Sequence, residues 1–302
     1  MEKTRKTNKI NHRGSDRMLN TTIVAGLCIF LLIILYPLVY VLSSSFSSGA
    51  AVTGGRVLLW PVDFSMEGYK VVFAYRNVWV GYANTIFYTV VGTVINLILT
   101  ILCAYPLSRK NFQWRNFYMT VYMIPMFFGG GLIPTYLLMT SLHLTNTRWA
   151  ILLSGALSIY NMVIMRTFFQ NSIPGELLEA AKIDGVSDIG YLFRILLPLS
   201  KAIIAVISLY YAVGHWNSYF TALIYLRDTK MQPLQLILRD ILNSARIDME
   251  QIENMEEMAQ RIGIADVMKY ALVVVATVPI LVAYPFVQKF FEKGVMIGSV
   301  KS

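Results

Sequence analysis

Six apolar runs, each close to the roughly 20 residues that a helix needs to cross hydrocarbon, dominate what this chain can fold into. They extend roughly from Thr22 to Leu42, Ala83 to Pro106, Phe117 to Thr140, Trp149 to Met165, Ala202 to Leu226 and Tyr270 to Gln288, and none contains Asp, Glu, Lys or Arg. Lipid offers backbone amides and carbonyls no hydrogen-bond partner, so such runs are expected to cross as helices, which satisfy those groups internally. With 56% hydrophobic and only 14% charged residues, at a mean hydropathy of +0.56, lipid rather than water must solvate the bulk of this chain. The expected fold class is an all-α membrane protein with six transmembrane helices.

The net charge of +9 suggests nucleic acid at first sight, but the basic residues are spread over particular loops and form no single patch. Their distribution is a topology signal, because short basic flanks stay on the cytoplasmic side. Lys3, Arg5, Lys6, Lys9, Arg13 and Arg17 precede the first run, and Arg109, Lys110 and Arg115 follow the second. Arg166, Lys182, Arg194 and Lys201 lie between the fourth and fifth, and Lys289, Lys293 and Lys301 close the chain. The loop 227–266 carries Asp228, Asp240, Asp248, Glu250, Glu253, Glu256, Glu257 and Asp266 and belongs outside. Both termini are therefore expected inside, with a basic segment 1–20, a six-helix transmembrane domain 21–292 and a cytoplasmic tail 293–302. The first run exceeds the 7 to 15 apolar residues of a secretory leader and is expected to stay in place as a helix.

The spans lack the charges that mark proton relays and ion-coupling sites within membranes. No Gly-rich loop ends in Gly-Lys-Ser or Gly-Lys-Thr, so the chain has no phosphate cradle of that kind. Energy for active transport would have to arrive through a partner. Cys28 and Cys103 sit within apolar runs and read as buried packing residues, and His215 has no neighbouring Cys, His or acid at metal-ligand spacing. No metal, no cofactor and no nucleic-acid partner is expected, nor any catalytic residue.

One polar, turn-rich segment between the fourth and fifth runs stands apart, 172–200. Pro174 suits a helix start, Glu176 and Glu179 favour the positive end of a helix dipole, and Leu177, Ala180, Ala181 and Asp184 recur at helical spacing. Gly185 can take the left-handed conformation that ends a helix. Ser187 and Asp188 offer a cap for a second short helix through Tyr191, Leu192 and Ile195, expected to stop where Pro198 leads into the fifth run. Small Ala180 and Ala181 allow close backbone approach to a groove, with Glu179 and Asp184 at its rim. A rigid peg facing a soluble partner is the expected result, against the alternative of an ordinary surface helix.

Glu179-Ala180-Ala181, three residues, Gly185, nine residues, then Ile195-Leu196-Leu197-Pro198 resembles the cytoplasmic-loop signature of permease subunits of binding-protein-dependent ABC importers. The extended form, with Lys182-Ile183-Asp184 and Leu199-Ser200, looks like the carbohydrate-uptake, maltose-permease-like branch. Phe128-Gly129-Gly130-Gly131-Leu132-Ile133-Pro134, Trp216-Asn217-Ser218-Tyr219 and Lys293-Gly294-Val295-Met296-Ile297-Gly298-Ser299-Val300-Lys301 resemble the subgroup that handles complex sugars and oligosaccharides. The resemblance implies a type I importer permease fold in a prokaryotic cell membrane. It implies two ATP-binding subunits, a second permease subunit and an extracytoplasmic solute-binding protein as partners. It also makes Glu179, Ala180, Ala181, Asp184, Gly185, Leu197 and Pro198 the ATPase-coupling residues.

For a substrate path, the sequence offers His215, Trp216, Asn217, Ser218 and Tyr219 in the fifth run, with Asn96 and Asn161 in others. Aromatic faces and amides suit sugar rings and hydroxyls, and interhelical hydrogen bonding is the plainer alternative. Gly129, Gly130 and Gly131 between Pro125 and Pro134 are expected to interrupt the third span. Leu242, Ile247, Ile252, Met255, Met258 and Ile262 predict an amphipathic helix pair on the outer membrane surface, which the resemblance makes a docking element for the binding protein. Two other classes compete. A secondary transporter or channel would work without an ATPase, and an intramembrane hydrolase would need His215 and Ser218 to meet.

Overall fold

The computed structural model describes residues 14–249 and 255–299, which are helical throughout apart from turns and loops. The expectations for Lys3, Arg5, Lys6, Lys9, Arg13, Glu250, Ile252, Glu253, Val300 and Lys301 lie outside the described residues. In chain order come α1 (Gly14–Ser45), α2 (Gly49–Thr53), α3 (Glu67–Ala74) and α4 (Arg76–Ser108). Next are α5 (Arg115–Phe127), α6 (Leu132–Ser141), α7 (Arg148–Leu153), α8 (Ile159–Asn171), α9 (Glu176–Ile183) and α10 (Asp188–Tyr191). A π-turn (Leu192–Leu196), α11 (Leu197–Leu199), α12 (Lys201–Trp216), α13 (Tyr219–Tyr225), a 3₁₀ turn (Thr229–Met231), α14 (Leu234–Met249) and α15 (Met255–Ser299) complete the chain.

The chain forms two compact units: Met1–Val71 with Met249–Val274, and Val72–Asp248 with Val275–Ser302. In the first, the polar end of α1 holds the following loop through side chains. Ser43 Oγ donates to the Leu59 carbonyl (2.6 Å), Ser47 Oγ accepts from the Val62 amide (3.0 Å), and the Ser45 and Tyr69 hydroxyls share a 2.8 Å hydrogen bond. Gly49 lies directly against the Gly263 backbone, and a Cβ there would come within 2.6 Å of it.

The second unit is organised on α4. Asn84, Thr85, Tyr88, Gly92, Asn96, Thr100, Ala104 and Leu107 recur every three or four residues and are buried, which puts them on one helical face. Ile86, Val90, Val94, Ile98 and Leu102 form the exposed stripe, suited to lipid. Small residues on the inner face allow α12 and α8 to approach closely, as helix pairs in membranes do.

Three helices among the described residues are long and apolar enough to cross a membrane: Met18–Ser45, Arg76–Ser108 and Ile262–Pro285. Two bent pairs raise the number to as many as five: α5 with α6 at 115°, and Asp188–Leu199 with α12 at 83°. The first bend confirms the glycine interruption, since α5 ends at Phe127 and Gly131 takes φ +84° before α6. The fourth run differs from expectation. Gly155, at φ +76°, ends α7, and the Ser158 side chain starts α8 afresh by accepting the Asn161 amide, so Trp149–Met165 is two short helices. The fifth is likewise divided at Asn217-Ser218 into α12 and α13.

Candidate functional site

The 172–200 segment has a definite shape set by local chemistry. Glu176 and Glu179 occupy the first turn of α9 and Lys182 the last, so charge complements the helix dipole at both ends. Asp184 caps the helix, Gly185 adopts φ +74°, and the Gly185 and Val186 amides donate to the Lys182 (3.1 Å) and Ala181 (2.9 Å) carbonyls. This paired closure is the Schellman motif, which a left-handed glycine favours. Ser187 then caps α10, its side chain accepting the Gly190 amide. One expectation needs correction: the second helix does not stop at Pro198. The backbone stays helical through Leu199 and bends at Ser200. The π-turn just before Pro198 has a wider hydrogen-bond register, which loosens the ladder where proline removes a donor.

The two alanines face opposite ways. Ala180 is exposed, as are Glu179, Asp184, Gly185 and Pro198. Ala181 is 4% exposed and belongs to a core with Leu107, Met165, Phe169, Tyr191 and Leu196, against which Leu197 packs. Its small size therefore serves packing within this chain. Ile183 (87% exposed), Ile189 (71%) and Phe193 (62%) are large apolar side chains of this segment left exposed.

The footing of the peg is polar as well as apolar. Tyr105 Oη, near the end of α4, donates to the Asp188 carbonyl at 2.9 Å. The Arg109 guanidinium lies over Tyr105 (4.6 Å to the ring centre) and over Tyr191 (4.9 Å), between α4 and the 172–200 segment. From α8, Arg166 Nε donates to the Leu107 carbonyl (2.9 Å) and Gln170 Nε2 to that of Ser108 (3.3 Å), occupying the open carbonyls at the end of α4 with donors, one of them cationic. Sequence marks Arg109 and Arg166 only as topology signals and does not mark Tyr105 or Gln170, because the partners of all four are set by tertiary contact.

The polar residues expected along a substrate path separate into distinct roles. His215 is 7% exposed, and its ring lies so close to Gly92 that a Cβ on that glycine would collide with it. Near the same crossing of α4 and α12, His215 Nε2 and Asn96 Oδ1 are buried with no hydrogen-bond partner among the described residues. Asn161 is buried at the start of α8, joined through Ser158 to Tyr211 Oη (3.1 Å), which meets Thr100 Oγ1 (2.7 Å). Trp216 Nε1 donates to the Ala276 carbonyl (3.1 Å). Asn217 is exposed beyond α12, and Tyr219 is half-buried beneath Arg239. His215 and Ser218 do not join side chain to side chain, since Nε2 and Oγ are both unpartnered, so no nucleophile and base are assembled. Among the described residues no three His, Cys, Asp or Glu converge on a metal position.

Of the amphipathic pair read through Leu242, Ile247, Ile252, Met255, Met258 and Ile262, only Leu242 and Ile262 have described side chains, both half-buried, and the rest lie outside the described side chains. α14 begins at Leu234, and Leu234, Leu236, Ile237, Leu238 and Ile241 are buried. Gly81 of α4 approaches Leu234 and Ile237, and Thr85 Oγ1 accepts the Leu234 amide at 2.8 Å. The start of α14 is part of the second unit's core.

A multi-pass helical bundle that carries an exposed, rigidly footed helix–turn–helix is a membrane permease component. The chain belongs to the family described as "Binding-protein-dependent transport system inner membrane component", whose pattern matches residues 10–297. It is 39% identical over 289 residues to the polygalacturonan/rhamnogalacturonan transport system permease protein YtcP of Bacillus subtilis (strain 168), covering 95% of this chain and 99% of that one. It is 41% identical over 269 residues to protein LplC of the same organism, covering 89% and 90%. Among solved structures, it superposes on a chain of a bacterial ABC transporter involved in import of the acidic polysaccharide alginate with a TM-score of 0.83. That match has 36% identity and covers 93% and 99% of the two chains.

Proposed function

We propose that this protein is a permease subunit of an ATP-driven importer for oligosaccharides or polysaccharides in a bacterial inner membrane, with ATP hydrolysis on separate subunits. The carbohydrate assignment is supported by the names of the full-length relatives and by the alginate importer chain. The chain passes the membrane six times with both termini inside, the fourth and fifth passes each being built from two consecutive helices. A second permease subunit completes the pathway, and a solute-binding protein docks outside, with segment 240–266 as one contact.

The observation that carries the mechanism is the pairing of exposed Glu179, Ala180, Asp184 and Gly185 with the buried footing of Ala181 and Tyr191. An ATPase groove takes the peg, and because the peg shares one core with α4, α8 and α12, moving it moves those helices together. ATP and the loaded binding protein each favour one of two states, and that differential affinity drives the exchange. Leu197 and Pro198 carry the movement into α12. The buried amide and imidazole of Asn96 and His215, with Asn161, Trp216, Asn217 and Tyr219, flank the passage. Reconstitution with the ATPase and binding protein tests this: Gly185→Asp inserts normally but loses uptake, and normal saccharide uptake by that variant contradicts the coupling role.

A further inference from the structure

The end of the second unit opposite the peg gathers four exposed cations, Arg148, Arg227, Lys230 and Arg239, on a tightly tied frame. Asn84 of α4 binds it together, its Nδ2 donating to the Lys230 (2.8 Å) and Gln232 (3.0 Å) carbonyls while Oδ1 accepts from Arg148 Nη2 at 3.4 Å. Tyr88 Oη donates to the Met231 carbonyl at 2.8 Å. Asn146 Oδ1 accepts the Arg227 and Asp228 amides at 2.9 and 3.0 Å. The start of α4 and the loops around Asn146 and Lys230 thus meet at this end.

Two of the cations are held by aromatic faces. The Arg148 guanidinium lies 4.9 Å from the centre of the Phe87 ring, and that of Arg239 lies 5.6 Å from the centre of Tyr219. Phe87 and Tyr219 both pack on the same core of Tyr88, Ile151, Leu152, Ala222, Leu226 and Leu236. None of the four cations pairs with an acid among the described residues, although Asp228 and Asp240 are close in sequence. Asp228 Oδ1 accepts the Lys230 amide. Stacking itself occupies no in-plane donor; Arg148 gives one, Nη2, to Asn84, and the remaining donors of the two guanidiniums suit a carboxylate.

Resting on the saccharide-importer reading, we infer that this surface is a receiving site for acidic saccharides, with Arg148 and Arg239 engaging uronate carboxylates and Lys230 and Arg227 supplying the surrounding positive field. Opposite charge concentrated at a mouth raises local substrate concentration and the rate of capture. A neutral sugar offers these guanidiniums no carboxylate.

The test uses the whole importer, with its ATPases and binding protein in liposomes, and compares a trigalacturonate, its fully methyl-esterified neutral counterpart and maltotriose. The Arg148→Gln/Arg239→Gln variant is expected to import trigalacturonate at least roughly tenfold more slowly, the size of one lost charged hydrogen bond. Any neutral saccharide that the unaltered protein imports is expected to pass within about twofold of its original rate, and Arg148→Lys/Arg239→Lys to recover part of the loss. Unchanged trigalacturonate import by the Gln variant, or import of only neutral probes by the unaltered protein, overturns the inference and leaves the saccharide reading standing. Loss of binding-protein-stimulated ATP hydrolysis in the Gln variant before any sugar is added identifies a protein-docking surface instead and also overturns it. If no saccharide of any charge is imported or stimulates hydrolysis in the unaltered complex, the underlying carbohydrate reading fails.

Discussion

The Val186 amide reaches back 2.9 Å to the Ala181 carbonyl, so the turn that exposes the peg is closed onto the one alanine of the pair that lies in the core. The exposed surface of the peg and the residue that anchors it are therefore one hydrogen bond apart.

Gly185 makes this closure possible at φ +74°, and nothing lies within 4 Å of where its Cβ would be. Substitution is opposed by backbone conformation rather than crowding, at a local cost of about 1–2 kcal/mol. Gly185→Ala is expected to insert in the membrane at normal levels with impaired uptake, and Gly185→Asp to impair it further. Membrane content and uptake, measured together, check this.

Ala180 and Ala181 should respond oppositely to the same enlargement. Ala181→Leu overfills a core position and costs about 1–3 kcal/mol, seen as a lower melting temperature of the purified protein. Ala180→Leu leaves melting unchanged and weakens co-purification of the ATPase. Equal melting temperatures for the two variants would contradict the packing assigned here.

The footing predicts a separable defect. Tyr105→Phe removes the hydrogen bond to Asp188, worth about 1 kcal/mol, and Arg109→Gln removes the cation from between Tyr105 and Tyr191. Both variants should keep the ATPase bound but lower the uptake obtained per ATP hydrolysed. A ratio unchanged from the original protein would remove these residues from the transmission path.

Deeper in the bundle, Gly92→Ala pushes a methyl into the His215 ring and should destabilise the protein by about 1–3 kcal/mol. His215→Ala in the same chain should restore part of that stability, and thermal unfolding of the four members of the cycle measures the coupling.

How far the sequence discloses all this depends on the range of the forces involved. The turn at Gly185, the cap at Ser187 and the break before Leu132 are local, set by residues within a few positions, and are legible in sequence. The division of Trp149–Met165 was also signalled locally, by Gly155 and Ser158, but the apolar character of the run obscured it. Other features need the folded neighbours. Alanines 180 and 181 are identical in sequence and differ only in which side of α9 meets the core. The burial of α14 depends on Gly81 and Thr85, some 150 residues earlier, and Arg109 acquires its place only when Tyr191 folds against Tyr105.

The most direct test of coupling places a photo-activated crosslinker at position 183, where Ile183 is 87% exposed at the end of α9. In the assembled, importing complex, irradiation is expected to join this position to the ATPase subunit and to stop uptake and hydrolysis together. A complex that imports normally while crosslinkers at 179, 183 and 189 never capture the ATPase would contradict the peg as the element that carries work into the membrane.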